Sequence, residues 1–287
     1  MERNSYTRLT LALDIVGRIS TGELKGYHEL ATIKHQIDLH DTLIVEPSSS
    51  LSIECDDPRV PCDESNICIR AVRLLQKEYS IDQPVRITLV KRIPVMGGLA
   101  GGSTNAATML SILNDMWELR LPTERLMELG RRLGMDVPFY FIGKSAFDTE
   151  TTGRCEPLPT DIAMTFVLAL ADFGVSTSQA YSAIDYSFIG KERDLTERMK
   201  HYFVEHDTKG VVSCIHNDFE RSVFVTHPRL AQIKHELLDA GCIAAALSGS
   251  GSTVFGVAAG VPEAREICRK MDCRTIVVST LKGEANG

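Results

Sequence analysis

A chain of 287 residues is long enough to bury one large core or two joined ones, and its formal net charge of −7, spread along the sequence, argues against a nucleic-acid surface. No apolar run reaches the length needed to cross a bilayer, and the polar opening Met1-Glu2-Arg3-Asn4-Ser5-Tyr6-Thr7 has no signal-peptide core, so a cytoplasmic protein without a membrane partner is expected. The 8 cysteines contain no Cys-x-x-Cys pair and the 8 histidines no His-x-x-x-His pair, which points to free thiols and away from zinc or disulfides.

Leu9 to Ile15 reads as a strand, and a polar turn with Gly22 and Gly26 separates it from a second alternating run, Ala31 to Leu39. Strand character continues to about Ile53. Ile67, Ala71, Leu74 and Leu75 then predict a helix over Asn66 to Tyr79, and Val85, Ile87, Leu89 and Ile93 alternate as a half-buried strand that Pro94 stops. Ala106, Leu110, Leu113 and Trp117 recur at helical spacing, so a helix is expected to begin near Ser103, with another over Thr123 to Leu133.

The stretch from Lys144 to Asp161, rich in threonine, glycine and proline, reads as a passage between two units, taken as 1–155 and 156–287. Beyond it, Met164 to Ala171 is strand-like. Helical patterns at Ser178 to Ile184, Asp194 to Phe203 and Pro228 to Ala240 alternate with strand-like runs at Ala244 to Leu247, Thr253 to Ala258 and Arg274 to Val278, an α+β arrangement.

Between the strand ending at Pro94 and the helix after it lies Pro94-Val95-Met96-Gly97-Gly98-Leu99-Ala100-Gly101-Gly102-Ser103-Thr104. A helix amino end leaves backbone N–H groups without partners and carries partial positive charge, so anions settle there. Glycines let phosphate oxygens approach the backbone, and Ser103 and Thr104 can add hydroxyl contacts or a magnesium ligand. Ser103 stands where a Walker lysine would be, and no Gly-x-Gly-x-x-Gly follows a strand, so neither of those phosphate loops applies. A plain turn capped by Ser103 is the bland alternative.

A second glycine motif, Leu247-Ser248-Gly249-Ser250-Gly251-Ser252-Thr253-Val254-Phe255-Gly256, precedes a late strand. The two loops and the amino-terminal strand together resemble the three motifs of the galactokinase, homoserine kinase, mevalonate kinase and phosphomevalonate kinase superfamily, which phosphorylates small-molecule hydroxyls with ATP. Gly26-Tyr27-His28-Glu29-Leu30, Gly134-Met135-Asp136-Val137-Pro138-Phe139, Val175-Ser176-Thr177 with Ala180-Tyr181, and Asn217-Asp218-Phe219-Glu220 look like the signatures of one of its families, the 4-diphosphocytidyl-2-C-methyl-D-erythritol kinases. The resemblance runs from about Arg8 to Gly256.

The resemblance implies an α+β, two-domain kinase fold, with an N-terminal ribosomal protein S5-like domain and a C-terminal ferredoxin-like α/β-plait domain completing the substrate cleft. It implies ATP with Mg2+ at Pro94, Gly97, Gly98, Leu99, Ala100, Gly101, Gly102, Ser103 and Thr104, and an adenine pocket near Asn66, a residue that reads equally well as the N-cap of its own helix. It implies a cytidine-diphosphate-linked substrate held by Tyr27, His28 and Tyr181, with Thr10, Thr177, Ser248 and Gly249 also on the substrate side, and phosphorylation of its 2-hydroxyl in isoprenoid precursor synthesis. Asp136 becomes the candidate base, although Asp before Val137-Pro138 also reads as a helix N-cap.

Departures from the family pattern are concentrated at one end of the site. Arg8 stands where the family has a lysine, and Thr10 where it has an asparagine; an arginine fork keeps the charge but not the shape of an ammonium. A superfamily kinase for another small alcohol, or a nucleotide-binding pseudokinase, therefore stand as alternatives, and monomer and homodimer are both compatible with the sequence. Ala100 takes a usual glycine position, where a methyl is tolerated only if φ is negative, and Thr104 a usual serine position. Ser20-Thr21-Gly22-Glu23-Leu24-Lys25 reads as an insertion or an ordinary surface turn.

Overall fold

The computed structural model describes residues 1–22, 25–149, 154–159, 162–186 and 189–282. Two long strands, β1 (Glu2–Arg18) and β2 (His28–Pro47), form an antiparallel ribbon at the centre of a first sheet. The run Thr7 to Ile15 is buried throughout, as expected where helices or a second layer cover both faces of a strand. β3 (Ser52–Cys55) and β4 (Val85–Val90) pair in parallel, joined by the crossover helix α1 (Ile67–Tyr79), and β4 pairs with β2.

The helix α2 (Gly101–Met116) packs against α1 and β1, burying Ala106, Leu110 and Leu113. It begins at Gly101 because the glycines enter the first turn, where apolar periodicity gives no sign of them. α3 (Thr123–Arg131) and the single turn α4 (Phe139–Ile142) follow, then the hairpin of β5 (Ser145–Asp148) and β6 (Cys155–Pro157), with β5 paired to β2. The passage between units expected over 144–161 is thus, where described, part of the first sheet: its short strands carry too little periodicity to stand out from a threonine-rich loop. Residues 150–153 and 160–161 of it lie outside the described residues, as do Glu23 and Leu24 of the segment before Gly26, whose described residues are exposed turn.

The remaining elements are β7 (Thr165–Leu170), α5 (Thr177–Ser182), α6 (Arg193–Val204), α7 (Thr208–Ser213), β8 (His216–Asn217), α8 (Glu220–Thr226), α9 (Pro228–Ala240), β9 (Ala244–Leu247), β10 (Val254–Ala258), α10 (Val261–Lys270) and β11 (Arg274–Ser279). A second sheet has the order β11-β7-β10-β9, all antiparallel; counted along the chain its strands run fourth, first, third, second, the order of a ferredoxin-like plait. β8 leaves that layer to pair in parallel with β1, and Thr280 bridges to Ile37 on β2, so the second half is stitched to the first sheet at two places. Among the described residues no helix is long and apolar enough to cross a membrane.

His35 on β2 shows how tightly this stitching is buried. It is 1% exposed, with Nδ1 2.8 Å from Ser145 Oγ and Nε2 2.8 Å from Thr280 Oγ1. Burial lowers its pKa from 6.5 to about 4. The folded protein therefore keeps the ring neutral while the unfolded chain takes up a proton, so this contribution is full above pH 6.5 and is lost as pH falls towards 4, by about 3 kcal/mol in all. Urea midpoints measured across that window should fall on acidification, and His35→Gln should flatten the dependence.

Candidate functional site

A cleft of about 610 Å3 opens between the glycine loop and the second sheet's loops. Arg8 and Thr10 of β1, Asn66, residues Pro94 to Ser103 and Asp136 line one side, and Val175 to Thr177, Tyr181, Phe219 and Gly249 to Gly251 the other.

Positive φ angles at Met96 (58°), Gly98 (71°) and Ala100 (52°) alternate with Gly97 and Leu99. Such alternation turns successive N–H groups into one concavity, an anion-binding nest. The loop's carbonyls are meanwhile drawn into the protein. Gly97 O accepts from Thr253 N–H (3.1 Å), Gly98 O from Arg8 Nη1 (3.0 Å) and Ser248 Oγ (3.2 Å), Leu99 O from Thr7 Oγ1, and Ala100 O from the Tyr140 hydroxyl (3.4 Å). Ala100, the N-cap of α2, offers no side-chain cap, so the first-turn amides remain for an anion. Its φ lies in the left-handed region that glycine would adopt without strain, at a cost of about 1 kcal/mol. Ser103 borders the cleft, whereas Thr104 is fully buried, donating to Tyr6 O (2.8 Å) and accepting from Ser5 Oγ (3.1 Å).

Asp136 caps no helix: the residue at the N-cap of α4 is Pro138, and the Asp136 carboxylate meets two cations. Arg8 Nη2 donates to Oδ2 at 2.8 Å, and Lys34 Nζ donates to Oδ1. Lys34 also donates to Asp148 Oδ2 at 2.7 Å. Burial pushes the Asp136 pKa up, but the charges of Arg8 and Lys34 outweigh it and hold the carboxyl well below the usual carboxylate range. Lys34 is not among the residues that sequence motifs single out. In the sequence Lys34 falls on the polar phase of the alternation, with Thr32, Gln36 and Asp38, so the pattern gives no sign that it is buried.

Asn66 serves as the N-cap of α1, its Oδ1 accepting from Cys68 N–H at 2.9 Å, and it borders the cleft as well. On the opposite wall Tyr181 is stacked by the His28 ring (centroids 4.5 Å, 26°), which does not itself border the cleft and whose Nε2 lies 2.6 Å from the Tyr186 hydroxyl, while Phe219 meets Tyr181 edge-on at 4.9 Å. Burial, helped by the Arg18 charge, lowers the His28 pKa and favours a neutral ring. Tyr27 is 52% exposed and does not border the cleft. Thr177 Oγ1 pairs with Ser250 Oγ at 3.1 Å at the cleft edge, Thr10 and Gly249 line the cleft, and Ser248 is buried beneath it as a brace for Gly98.

The Asn217-Asp218-Phe219-Glu220 motif acts on the second glycine loop from below. Asn217 Nδ2 donates to Leu247 O (2.7 Å) and Gly249 O (2.8 Å), and Glu220 Oε1 accepts from Leu247 N–H (2.8 Å). Asp218 Oδ2 accepts from Ile15 N–H (2.8 Å) and Gly190 N–H (3.0 Å), anchoring the motif to β1.

Comparison with known proteins agrees with this architecture. Residues 66–144 match the family described as GHMP kinases N terminal domain, and residues 199–277 match GHMP kinases C terminal. The chain is 35% identical over 265 residues to the 4-diphosphocytidyl-2-C-methyl-D-erythritol kinase of Gloeobacter violaceus, covering 91% of this chain and 86% of that one. It is 38% identical over 253 residues to the enzyme of the same name from Chlorobium limicola, covering 88% and 86%. A crystal structure of 4-(cytidine 5'-diphospho)-2C-methyl-D-erythritol kinase superposes with a TM-score of 0.81 at 28% identity, over 99% of this chain and 100% of that one.

Proposed function

The chain belongs to the 4-diphosphocytidyl-2-C-methyl-D-erythritol kinases, a family of GHMP kinases, and from that membership we propose that it transfers the γ-phosphoryl group of ATP to the 2-hydroxyl of 4-diphosphocytidyl-2-C-methyl-D-erythritol, a step in non-mevalonate isoprenoid precursor synthesis. The observation that carries the reading is that the glycine nest and the Arg8–Asp136 pair line the same cleft.

Phosphoryl transfer needs alignment and compensation of charge more than covalent help from the protein. The nest and the amino end of α2 suit the nucleotide's phosphates, with Pro94 and Asn66 on the adenine side. The Ser103 hydroxyl is the loop oxygen that would hold Mg2+, since both Asp136 oxygens are committed to cations, and the metal would supply charge neutralisation there. Arg8, between Gly98 O and Asp136, places a fixed positive charge where the nest meets the acceptor side. Asp136, ionised throughout the working pH range, accepts a hydrogen bond from the acceptor hydroxyl and takes its proton late, as the oxygen–phosphorus bond forms. Tyr181, backed by His28, supplies a flat surface for a cytosine, with Thr10, Thr177 and Gly249 lining the space between base and nest.

Purified protein given ATP, Mg2+ and this substrate should release one ADP per phosphorylated product. Nucleotide-dependent thermal stabilisation without turnover would overturn the reading in favour of a pseudokinase, and turnover only with another alcohol in favour of a sister activity. Tyr181→Ala should raise KM for the cytidine substrate roughly tenfold and leave KM for ATP unchanged.

A further inference from the structure

Lys34 is a lysine with no exposure at all, placed on β2 directly opposite Thr10 of β1. Burying an ammonium costs several kcal/mol, so a fully buried position on this strand would be filled more cheaply by an aliphatic side chain. It does not border the cleft, yet its Nζ holds one oxygen of a carboxylate that does. Its second carboxylate, Asp148 on β5, is 3% exposed and is not among the residues that line the cleft. The four charged groups form one row, Arg8, Asp136, Lys34, Asp148, alternating in sign and summing to zero.

This row divides the work around Asp136. Arg8 reaches the carboxylate from the nest side and also binds Gly98 O, so it faces the transferred phosphoryl group. Lys34 reaches the same carboxylate from behind. We propose that Lys34 is a positioning residue for phosphoryl transfer: it fixes the Asp136 carboxylate from the buried side, and Asp148 supplies the counter-charge that makes a lysine tenable there. Asp136 thereby stays in place while Arg8 shares its charge with the phosphates. Among the described residues, Tyr140 of α4, Cys155 of β6 and the Arg131 guanidinium of α3 also lie around the row; burial pushes the tyrosine hydroxyl up and the thiol to about 12, so both stay neutral while Asp136 titrates.

The inference rests on the kinase reading, and the test separates the two. Turnover by the parent protein decides the reading; the variants decide the role of Lys34. Lys34→Met alone deprives the buried Asp148 carboxylate of its Lys34 counter-charge and is expected to destabilise the fold, so the deciding variant is Lys34→Met with Asp148→Asn, which removes both buried charges together. In that double variant we expect kcat to drop roughly 100-fold with KM for ATP unchanged, the loss typical of a misplaced catalytic group. With one of the two cations that depress the Asp136 pKa gone, an acid limb set by this carboxyl should move upward towards the working range. A folded double variant with kcat within about threefold of the parent and an unmoved acid limb would show that Lys34 serves only as the partner of Asp148 and would overturn the proposal. An NMR titration of the Asp136 carboxyl carbon reads the same shift without substrate: an unchanged titration in the double variant counts against the proposal, and an upward shift counts for it.

Discussion

Asp136→Asn should lower kcat by roughly three orders of magnitude while nucleotide binding persists, because the amide keeps the size of the carboxylate and loses its charge and proton affinity. In the parent both carboxylate oxygens are used, by Arg8 Nη2 and Lys34 Nζ. An asparagine oxygen can face one of these cations only by turning its NH2 towards the other. Lys34 retains Asp148, whereas Arg8, with a side chain 6% exposed, keeps only the Gly98 carbonyl among these partners. A loss of about 3 kcal/mol in stability at neutral pH is expected alongside the loss of rate. The sign of its pH dependence follows from the depressed carboxyl. Its contribution is full above the ordinary value of 3.8 and disappears as pH falls below that, so parent and variant should converge in stability on strong acidification. Single-turnover rates at saturating ATP, with urea midpoints at neutral and acid pH, measure both effects; a variant turning over within about tenfold of the parent would remove Asp136 from the chemistry.

Gly98→Ala should be equally damaging through a different route. Gly98 has φ of +71°, and an added Cβ would lie 2.2 Å from Ser248 O and 2.8 Å from Gly251 O. Both obstacles are backbone atoms of the second glycine loop, so no side-chain rotation relieves the clash. The loops must separate, and with them go the Ser248 Oγ to Gly98 O bond and the curvature of the nest. We expect a stability loss of more than about 3 kcal/mol and an ATP affinity at least about 100-fold weaker in whatever remains folded. Gly17→Ala is the control: nothing lies within 4 Å of its added Cβ and its φ is not positive, so binding should be unaffected. Calorimetric titration with an ATP analogue and thermal melts of the two variants make the comparison.

Long elements were legible in the sequence because their burial repeats at one clear period. Residues Pro228 to Ala240 form a helix with the bounds that the pattern gives, and β7, β9, β10 and β11 fall within a residue or two of the expected runs. The elements that went unread are short or weakly patterned. β8 has two residues and exists because β1 offers an edge, α4 is a single turn, and α10 buries only Ala264 and Ile267 of its ten residues. The glycine loop and Asp136 stood out because contiguous residues carry their pattern. Lys34 did not, since what makes it tenable is Asp148, 114 residues further on, and a register that sets β2 between β1 and β5. The exchange of lysine for arginine at position 8 was plain in the sequence; that a second cation reaches the same carboxylate from the neighbouring strand was not.

The two halves of the cleft meet along a seam of named bonds. Thr253 N–H reaches Gly97 O, Ser248 Oγ reaches Gly98 O, Asp218 N–H reaches Leu13 O, and Ile15 N–H reaches Asp218 Oδ2. At about 1 kcal/mol each, these four bonds alone keep the share of molecules parted along this line below about one in a thousand. Breathing at the seam is therefore a rare excursion, and nucleotide and acceptor alcohol enter and leave through the open mouth of the cleft while its floor stays shut.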